Sequence, residues 1–171
     1  MMRGIFKQAW TGTMLATFGV IFGGSLLAAQ SHGTGIPIDM PVSLAVGQVK
    51  TFEFKTKNGM YGIMIRVKRS LPPDTINCML GVVFVQRDPK CIKEPILRAN
   101  WTLWSDGQIV KQGSTNDQRN GGRWAYDSVD RIIGAFRGEK GRKYILEVNF
   151  TANGTALDAT DPHLVVQLSN D

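Results

Sequence analysis

The chain has 171 residues, of which 43% are hydrophobic, and a formal net charge of +6. This hydrophobic content excludes a disordered or low-complexity protein, and the length predicts a single domain. Two of the basic residues lie in the first 30 positions, so the rest of the chain carries only +4. A strongly cationic nucleic-acid-binding protein is therefore excluded, and we predict no nucleic-acid partner.

The N-terminal segment has the layout of a signal peptide. A short basic region with Arg3 and Lys7 precedes an apolar run over residues 14–29 that three glycines interrupt. The run is too short and too broken for a typical membrane-spanning helix, and small residues follow it. We predict a cleaved signal peptide over residues 1–31 and one domain over residues 32–171; an uncleaved anchor is the alternative. The protein is thus expected to be periplasmic or secreted, without a stable membrane anchor after cleavage.

Cysteine usage agrees with export. Cys78 and Cys91 are the only two cysteines, and an oxidising compartment favours a disulfide bond between them. Such a bond would stabilise the fold by about 3 kcal/mol in the chain-entropy account. Two buried free thiols are the alternative.

The remaining chain has the pattern of a β protein. Apolar and polar residues alternate over residues 61–68, 143–150 and 164–168, and residues 49–54 are a further candidate strand. A hairpin is predicted from residues 101–104 to 108–110, closed at Asp106-Gly107. We predict a mainly β fold, an antiparallel β-sandwich of about 6–8 strands.

One segment has helical spacing instead. Val129, Ile132, Ile133 and Phe136 lie at i, i+3, i+4 and i+7, which predicts one short helix before the penultimate strand. Its apolar stripe is expected to pack on the core at one open end of the sandwich.

Candidate binding residues fall in two places. Trp101 and Trp104 are three positions apart, so in a strand they face opposite sides, and an exposed tryptophan is a common platform for a sugar ring or an apolar side chain. The alternative is that both are covered. The polar, glycine-bearing residues 113–122 form the longest candidate loop. Its predicted binding residues are Asn116, Asp117, Arg119 and Asn120.

Little in the sequence indicates catalysis. His163 has no nucleophile motif beside it and is expected to be an ordinary strand-end residue. Asp158, Asp161 and Asn153 lack the spacing of a calcium loop and are expected to form a solvated turn. A carboxylate pair of the glycosidase kind is not marked by any context. We predict no catalytic residue, no metal site and no cofactor, and hence a protein that is not an enzyme.

The C-terminal half resembles a bacterial exported family known only as a domain of unknown function. The resemblance rests on residues 141–148 (GRKYILEV) and 161–166 (DPHLVV), joined by a polar stretch with Ala156 and Leu157. It extends over most of residues 36–168. It implies a small periplasmic or lipid-anchored β-sandwich protein and supplies no catalytic residues. This chain departs from it in having no lipid-attachment cysteine.

Two functions are compatible with these features. The first is a non-enzymatic periplasmic protein-binding module with a protein partner in the envelope, such as an inhibitor or immunity-type protein against a toxin or hydrolase. The second is a carbohydrate- or cell-envelope-binding module that uses an exposed tryptophan to hold a glycan. Both rest on compartment, size and fold, because no motif in the chain identifies a ligand.

Overall fold

The computed structural model describes residues 35–82, 95–115 and 121–169. The predicted signal peptide, residues 1–31, lies outside them. Within these ranges the chain forms ten strands, one α-helix and one 3-10 helix. In chain order the elements are β1 (Ile38–Pro41), β2 (Gly47–Lys50), β3 (Phe54–Lys55), β4 (Gly59–Lys68), α1 (Pro73–Leu80), β5 (Ala99–Ser105), β6 (Gln108–Ser114), β7 (Gly122–Trp124), β8 (Ser128–Gly138), β9 (Lys143–Phe150), the 3-10 helix (Thr155–Thr160) and β10 (His163–Leu168).

The strands form two sheets with antiparallel pairing. The first sheet has the order β1-β10-β4-β8-β7, and the second has the order β2-β9-β5-β6, with β3 also paired to β9. The mainly β, sandwich-like architecture that the sequence predicts is confirmed. The strand number is larger than the predicted 6–8. The candidate strand over residues 49–54 is divided into β2 and β3, and the short strands β1 and β7 were missed.

The core lies between the inner faces of the two sheets. Alternate residues of β4 (Tyr61, Ile63, Ile65) face it from the first sheet, and alternate residues of β9 (Leu146, Val148) face it from the second. In β9 this burial causes the period-2 pattern of the sequence, because one face of the strand is covered and the other is more exposed. In β4, a central strand of the first sheet, Met64 on the other face is buried as well.

The predicted helix over Val129–Phe136 is wrong, because this segment is the strand β8. The pairing of β8 with β4 shifts register between Ile63 and Met64: Ile63 pairs with Gly134 and Met64 with Ile132. Ile133 is therefore an extra, bulged residue. The bulge moves the buried side of β8 by one position, so buried Val129, Ile133 and Phe136 acquire the spacing of a helical stripe.

The helix that does form lies elsewhere. α1 begins with Pro73, whose missing amide hydrogen costs nothing in the first turn, and ends at Gly81 in the left-handed conformation. Ile76 and Leu80 anchor it to the core. Cys78 lies on this helix and is not a free thiol, whereas Cys91 lies outside the described residues, so the pairing of the two stays a prediction. In the described ranges, no helix has the length and apolar character needed to cross a membrane.

Candidate functional site

The two tryptophans of β5 occupy opposite sides of the second sheet. Trp101 is only 3% exposed and packs in the core, where its Nε1 donates a hydrogen bond to the Ile133 carbonyl oxygen at 2.7 Å. Trp104 is half-buried on the outer face. Of the two arrangements left open by the sequence, the structure has one tryptophan buried and one partly open to solvent.

Glycines of two neighbouring strands leave the space that the Trp101 indole fills. A Cβ atom on Gly134 would lie 2.4 Å from Trp101 Cε2, and one on Gly113 would lie 2.8 Å from Trp101 Cζ2. Both distances are far below van der Waals contact. These two positions therefore have no room for a side chain while the indole stays in place.

The outer face of the second sheet carries side chains in ordered rows across the strands. One row joins Gln48 (β2), Asn149 (β9), Asn100 (β5) and Ser114 (β6) by direct register. The next joins Lys50, Glu147, Thr102 and Gln112, and the third joins Ile145, Trp104 and Ile109. We call this surface the amide face, after Gln48, Asn100, Gln112 and Asn149. It changes from amides at one end to apolar groups at the other.

A cleft opens at the apolar end of the amide face. Its volume is about 320 Å³. Ten residues line it: Lys50, Glu53, Trp104, Ser105, Asp106, Gly107, Lys143, Tyr144, Ile145 and Glu147. The volume is at the lower end of the range of small-molecule sites, and the lining combines an aromatic surface with several convergent polar groups.

Glu147 fixes the position of the Trp104 indole in this cleft. Trp104 Nε1 donates to Glu147 Oε2 at 3.0 Å, and Lys50 Nζ lies 2.8 Å from Glu147 Oε1. The hydrogen bond from Lys50, and then the one from Trp104, lowers the pKa of Glu147 against the opposing effect of desolvation. The carboxylate therefore stays ionised and holds the indole and the ammonium group together.

The β5–β6 turn forms one wall of the cleft. Asp106 and Gly107 both have positive φ, 53° and 75°, which matches the predicted hairpin closure. The Ser105 hydroxyl donates to Asp106 Oδ2 at 3.1 Å and accepts from Arg142 Nε at 2.9 Å. These hydrogen bonds connect the turn to the residue that precedes β9. The first residue of β9, Lys143, forms an ion pair with Glu53 at 2.8 Å.

The second group of predicted binding residues, Asn116, Asp117, Arg119 and Asn120, lies outside the described residues, so its role stays a prediction. Thr115, the last described residue before this group, belongs to the folded domain. Thr115 is buried, and Arg131 Nη2 lies 3.5 Å from its carbonyl oxygen. Desolvation by burial lowers the pKa of Arg131.

The outer face of the first sheet carries a different polar cluster. Asp130 is completely buried and accepts hydrogen bonds from Arg66 Nε at 2.7 Å and from Arg123 Nη2 at 2.9 Å. Arg123 also donates to Gln167 Oε1 at 2.9 Å. The hydrogen bond to Asp130 raises the pKa of Arg66. These groups satisfy one another, so the cluster is better suited to fastening β4, β7, β8 and β10 than to holding a ligand.

His163 belongs to the edge of this cluster. Its Nδ1 lies 2.6 Å from Asp39 Oδ1, and its Nε2 lies 3.6 Å from Asp161 Oδ1. Asp161 in turn pairs with Lys68 at 2.6 Å. The ring therefore links β10 to β1, as a strand-end residue.

The residues considered for a calcium loop make structural contacts, of which those of Asp158 join distant parts of the chain. Asp158 accepts hydrogen bonds from the Ser43 hydroxyl at 2.8 Å and from the Leu44 amide at 2.9 Å. Asn153 Oδ1 accepts from the Thr155 amide at 3.1 Å. In the ranges that the structure describes, no group of three or more histidine, cysteine, aspartate or glutamate residues is placed to hold a metal ion.

The partners of Trp104 were not predicted from the sequence. Lys50, Glu53 and Glu147 are scattered along the chain and stand in ordinary alternating strands. The alternation pattern does indicate which face these residues share, because each of Lys50, Trp104 and Glu147 occupies the polar side of a predicted strand. Only the strand order β2-β9-β5 makes these three residues neighbours.

The fold is similar to one solved structure of distant sequence, the crystal structure of GEBA250068378 from Sulfurospirillum deleyianum. The TM-score is 0.55 at 15% identity, and the match covers 79% of this chain and 98% of that chain. At this identity the likeness extends to the fold alone. No protein-family model and no curated protein matches the chain, so the resemblance to a bacterial exported family stays a prediction.

Proposed function

We propose that the protein is a carbohydrate-binding module of the cell envelope, and that the cleft at Trp104 with the adjoining amide face is its glycan-binding site. The observation that carries the proposal is a half-buried tryptophan, held by Glu147, in a cleft of about 320 Å³. The predicted signal peptide supports it, because export would bring the protein to the compartment that contains cell-wall and surface glycans.

The chemistry of a sugar ring fits this surface. A pyranose has apolar C–H faces and a rim of hydroxyl groups, so it needs an aromatic plane together with hydrogen-bonding groups at the sides. Trp104 and Ile145 supply the apolar part of the cleft, and Glu53, Asp106 and Glu147 supply acceptors for hydroxyl groups. Because Glu147 already orients the indole, little conformational entropy is lost when a ring stacks on it.

The amide face extends the site beyond the cleft. Asn and Gln side chains both donate and accept hydrogen bonds, so they can pair with hydroxyl groups in either orientation. Asn100, Asn149, Gln48 and Gln112 are all exposed on this face. A polysaccharide that occupies the cleft with one sugar can therefore place further sugars across the strands.

The test is binding of the purified exported protein to immobilised and soluble glycans, with Trp104→Ala as the probe. The panel is the host's own cell-wall preparation, chitin and cellulose, measured by pull-down, and soluble oligosaccharides of the best binder, measured by calorimetry. We expect Trp104→Ala to weaken binding at least tenfold, because the stacking surface is lost.

The matched control is Tyr126→Ala. Tyr126 is 97% exposed on the turn between β7 and β8, away from the cleft lining. This variant should bind glycans like the wild type. Retention of wild-type affinity by Trp104→Ala, or failure of the wild type to bind any glycan of the panel, would overturn the proposal.

The exposed turn at Tyr126 favours a second candidate function, protein binding of the inhibitor or immunity kind. Arg69 holds the turn by donating to the Tyr126 carbonyl at 3.0 Å, and its guanidinium lies over the Trp124 ring at 4.8 Å from the centroid. Tyr, Trp and Arg are the residue types that dominate protein interfaces. If this is the function, Tyr126→Ala or deletion of residues 116–120 will abolish capture of a stoichiometric envelope protein, whereas Trp104→Ala will leave it unchanged.

A further inference from the structure

The charges that line the cleft are not balanced. Two ammonium groups, Lys50 and Lys143, face three carboxylates, Glu53, Asp106 and Glu147. Lys50 pairs with Glu147 and Lys143 with Glu53, each at 2.8 Å. The carboxylate that remains is Asp106. The cleft is therefore locally acidic in a chain whose net charge is +6.

Asp106 has capacity for another donor. Ser105 donates to its Oδ2 at 3.1 Å, and its Oδ1 has no hydrogen-bond partner among the described residues. The nearby Arg142 guanidinium is directed to Glu139, with Nη1 2.8 Å from Oε1. Arg142 and Lys143 also interact electrostatically with Asp106, but each of them has another carboxylate as its direct partner.

We propose that the glycan bound in this cleft carries free primary amino groups, as a de-N-acetylated amino-sugar polymer does, and that Asp106 is the residue that selects it. This inference rests on the proposed glycan-binding function and adds the substrate class. An ammonium group is three donors with a full positive charge, so it suits a carboxylate with a free oxygen. It is also attracted to the face of an indole, and Trp104 lines the same cleft.

The acetylated form of the same sugar would make neither the charged contact with Asp106 nor the cation–π contact with Trp104. An acetamido group is neutral and bulkier, and its single N–H makes an ordinary hydrogen bond rather than a charge-assisted one. The net positive charge of the protein repels a polycation at long range. Any preference for the amino form must therefore come from groups of the cleft, namely the Asp106 carboxylate and the Trp104 indole, and substitution of Asp106 separates the two contributions.

The experiment compares glucosamine oligomers with N-acetylglucosamine oligomers of equal length by calorimetric titration under mildly acidic conditions that protonate the amines. For the wild type we expect the free-amine oligomer to bind about tenfold more tightly. Asp106→Asn should remove most of this preference, because the free-amine oligomer loses its charged partner, whereas the acetylated oligomer loses at most one hydroxyl contact. Asparagine also adopts the left-handed backbone of this turn readily, so the variant should fold.

The matched control is Asp127→Asn, which makes the same change of charge at an exposed turn outside the cleft. It should keep the wild-type preference. Equal affinity of the wild type for both oligomers, or an unchanged preference in Asp106→Asn, would overturn this inference while the loss of binding in Trp104→Ala still supported a glycan site. Absence of binding to either oligomer, with binding to another glycan of the panel, would overturn the substrate class alone.

Discussion

The surroundings of Trp101 and Trp104 differ although the two residues stand three positions apart on one strand. Trp101 is enclosed by main chain: its N–H bonds to the Ile133 carbonyl, and Gly113 and Gly134 lie against its ring. Trp104 is held by charged side chains: its N–H donates a hydrogen bond to Glu147, and the other oxygen of that carboxylate pairs with Lys50. The first arrangement fixes the fold, since it joins the two sheets. The second leaves an aromatic surface in a cleft.

The largest effect expected from this difference is on stability. Trp101→Ala should lower the free energy of unfolding by about 3–5 kcal/mol, because it leaves a large cavity and an unpaired buried carbonyl. Trp104→Ala should cost only about 1 kcal/mol, since its ring is half-exposed. Urea denaturation of both variants tests this. Similar losses for the two would show that Trp104 is a second core residue rather than a surface platform.

A smaller effect should follow from filling the space beside Trp101. Gly134→Ala places a methyl group 2.4 Å from Trp101 Cε2, so the ring must move, at a cost of about 1–3 kcal/mol. Gly113→Ala should lower the free energy of unfolding by less, because its methyl group would lie 2.8 Å from Trp101 Cζ2. Gly107→Ala is not a suitable control, because the positive φ of this residue adds backbone strain. A double variant with Trp101→Phe tests the cause. If the loss from Gly134→Ala is the same in that background, the indole is not responsible.

The smallest expected effect concerns the carboxylate that holds the Trp104 indole. The pKa of Glu147 is lowered in the folded protein, so the ionised carboxylate stabilises the fold above the ordinary Glu pKa. This contribution is lost as the pH falls through the lowered pKa. Glu147→Gln should therefore have a slightly lower Tm than the wild type at neutral pH, and the difference should disappear in strong acid. Thermal denaturation at the two pH values measures it; a difference that grows in acid would contradict the assignment of the hydrogen bonds.

Several features of the fold could be predicted because their causes are local. The alternation of β9 follows from one-sided burial, and the hairpin of β5 and β6 follows from Asp106-Gly107, two residues that accept positive φ. The opposite orientation of Trp101 and Trp104 follows from their odd spacing. In each case the feature depends on residues that are close together in the chain.

The wrong prediction had a non-local cause. The helical spacing of Val129, Ile133 and Phe136 comes from a bulge that exists only because β8 pairs with β4 and shifts register opposite Ile63 and Met64. A single sequence contains no sign of where a partner strand shifts. The helix α1 was missed for a related reason: it is short, and its burial depends on the sheets that it contacts.

By itself, then, the sequence determined the β class of the protein, its turns and the faces of its longer strands, because these depend on residues close together in the chain. The candidate site depends on tertiary structure alone. Lys50, Trp104 and Glu147 come from three strands, and only the order β2-β9-β5 brings an indole, a carboxylate and an ammonium group within hydrogen-bonding distance. Strand order is set by how the two sheets share one core, and that is a property of the whole chain.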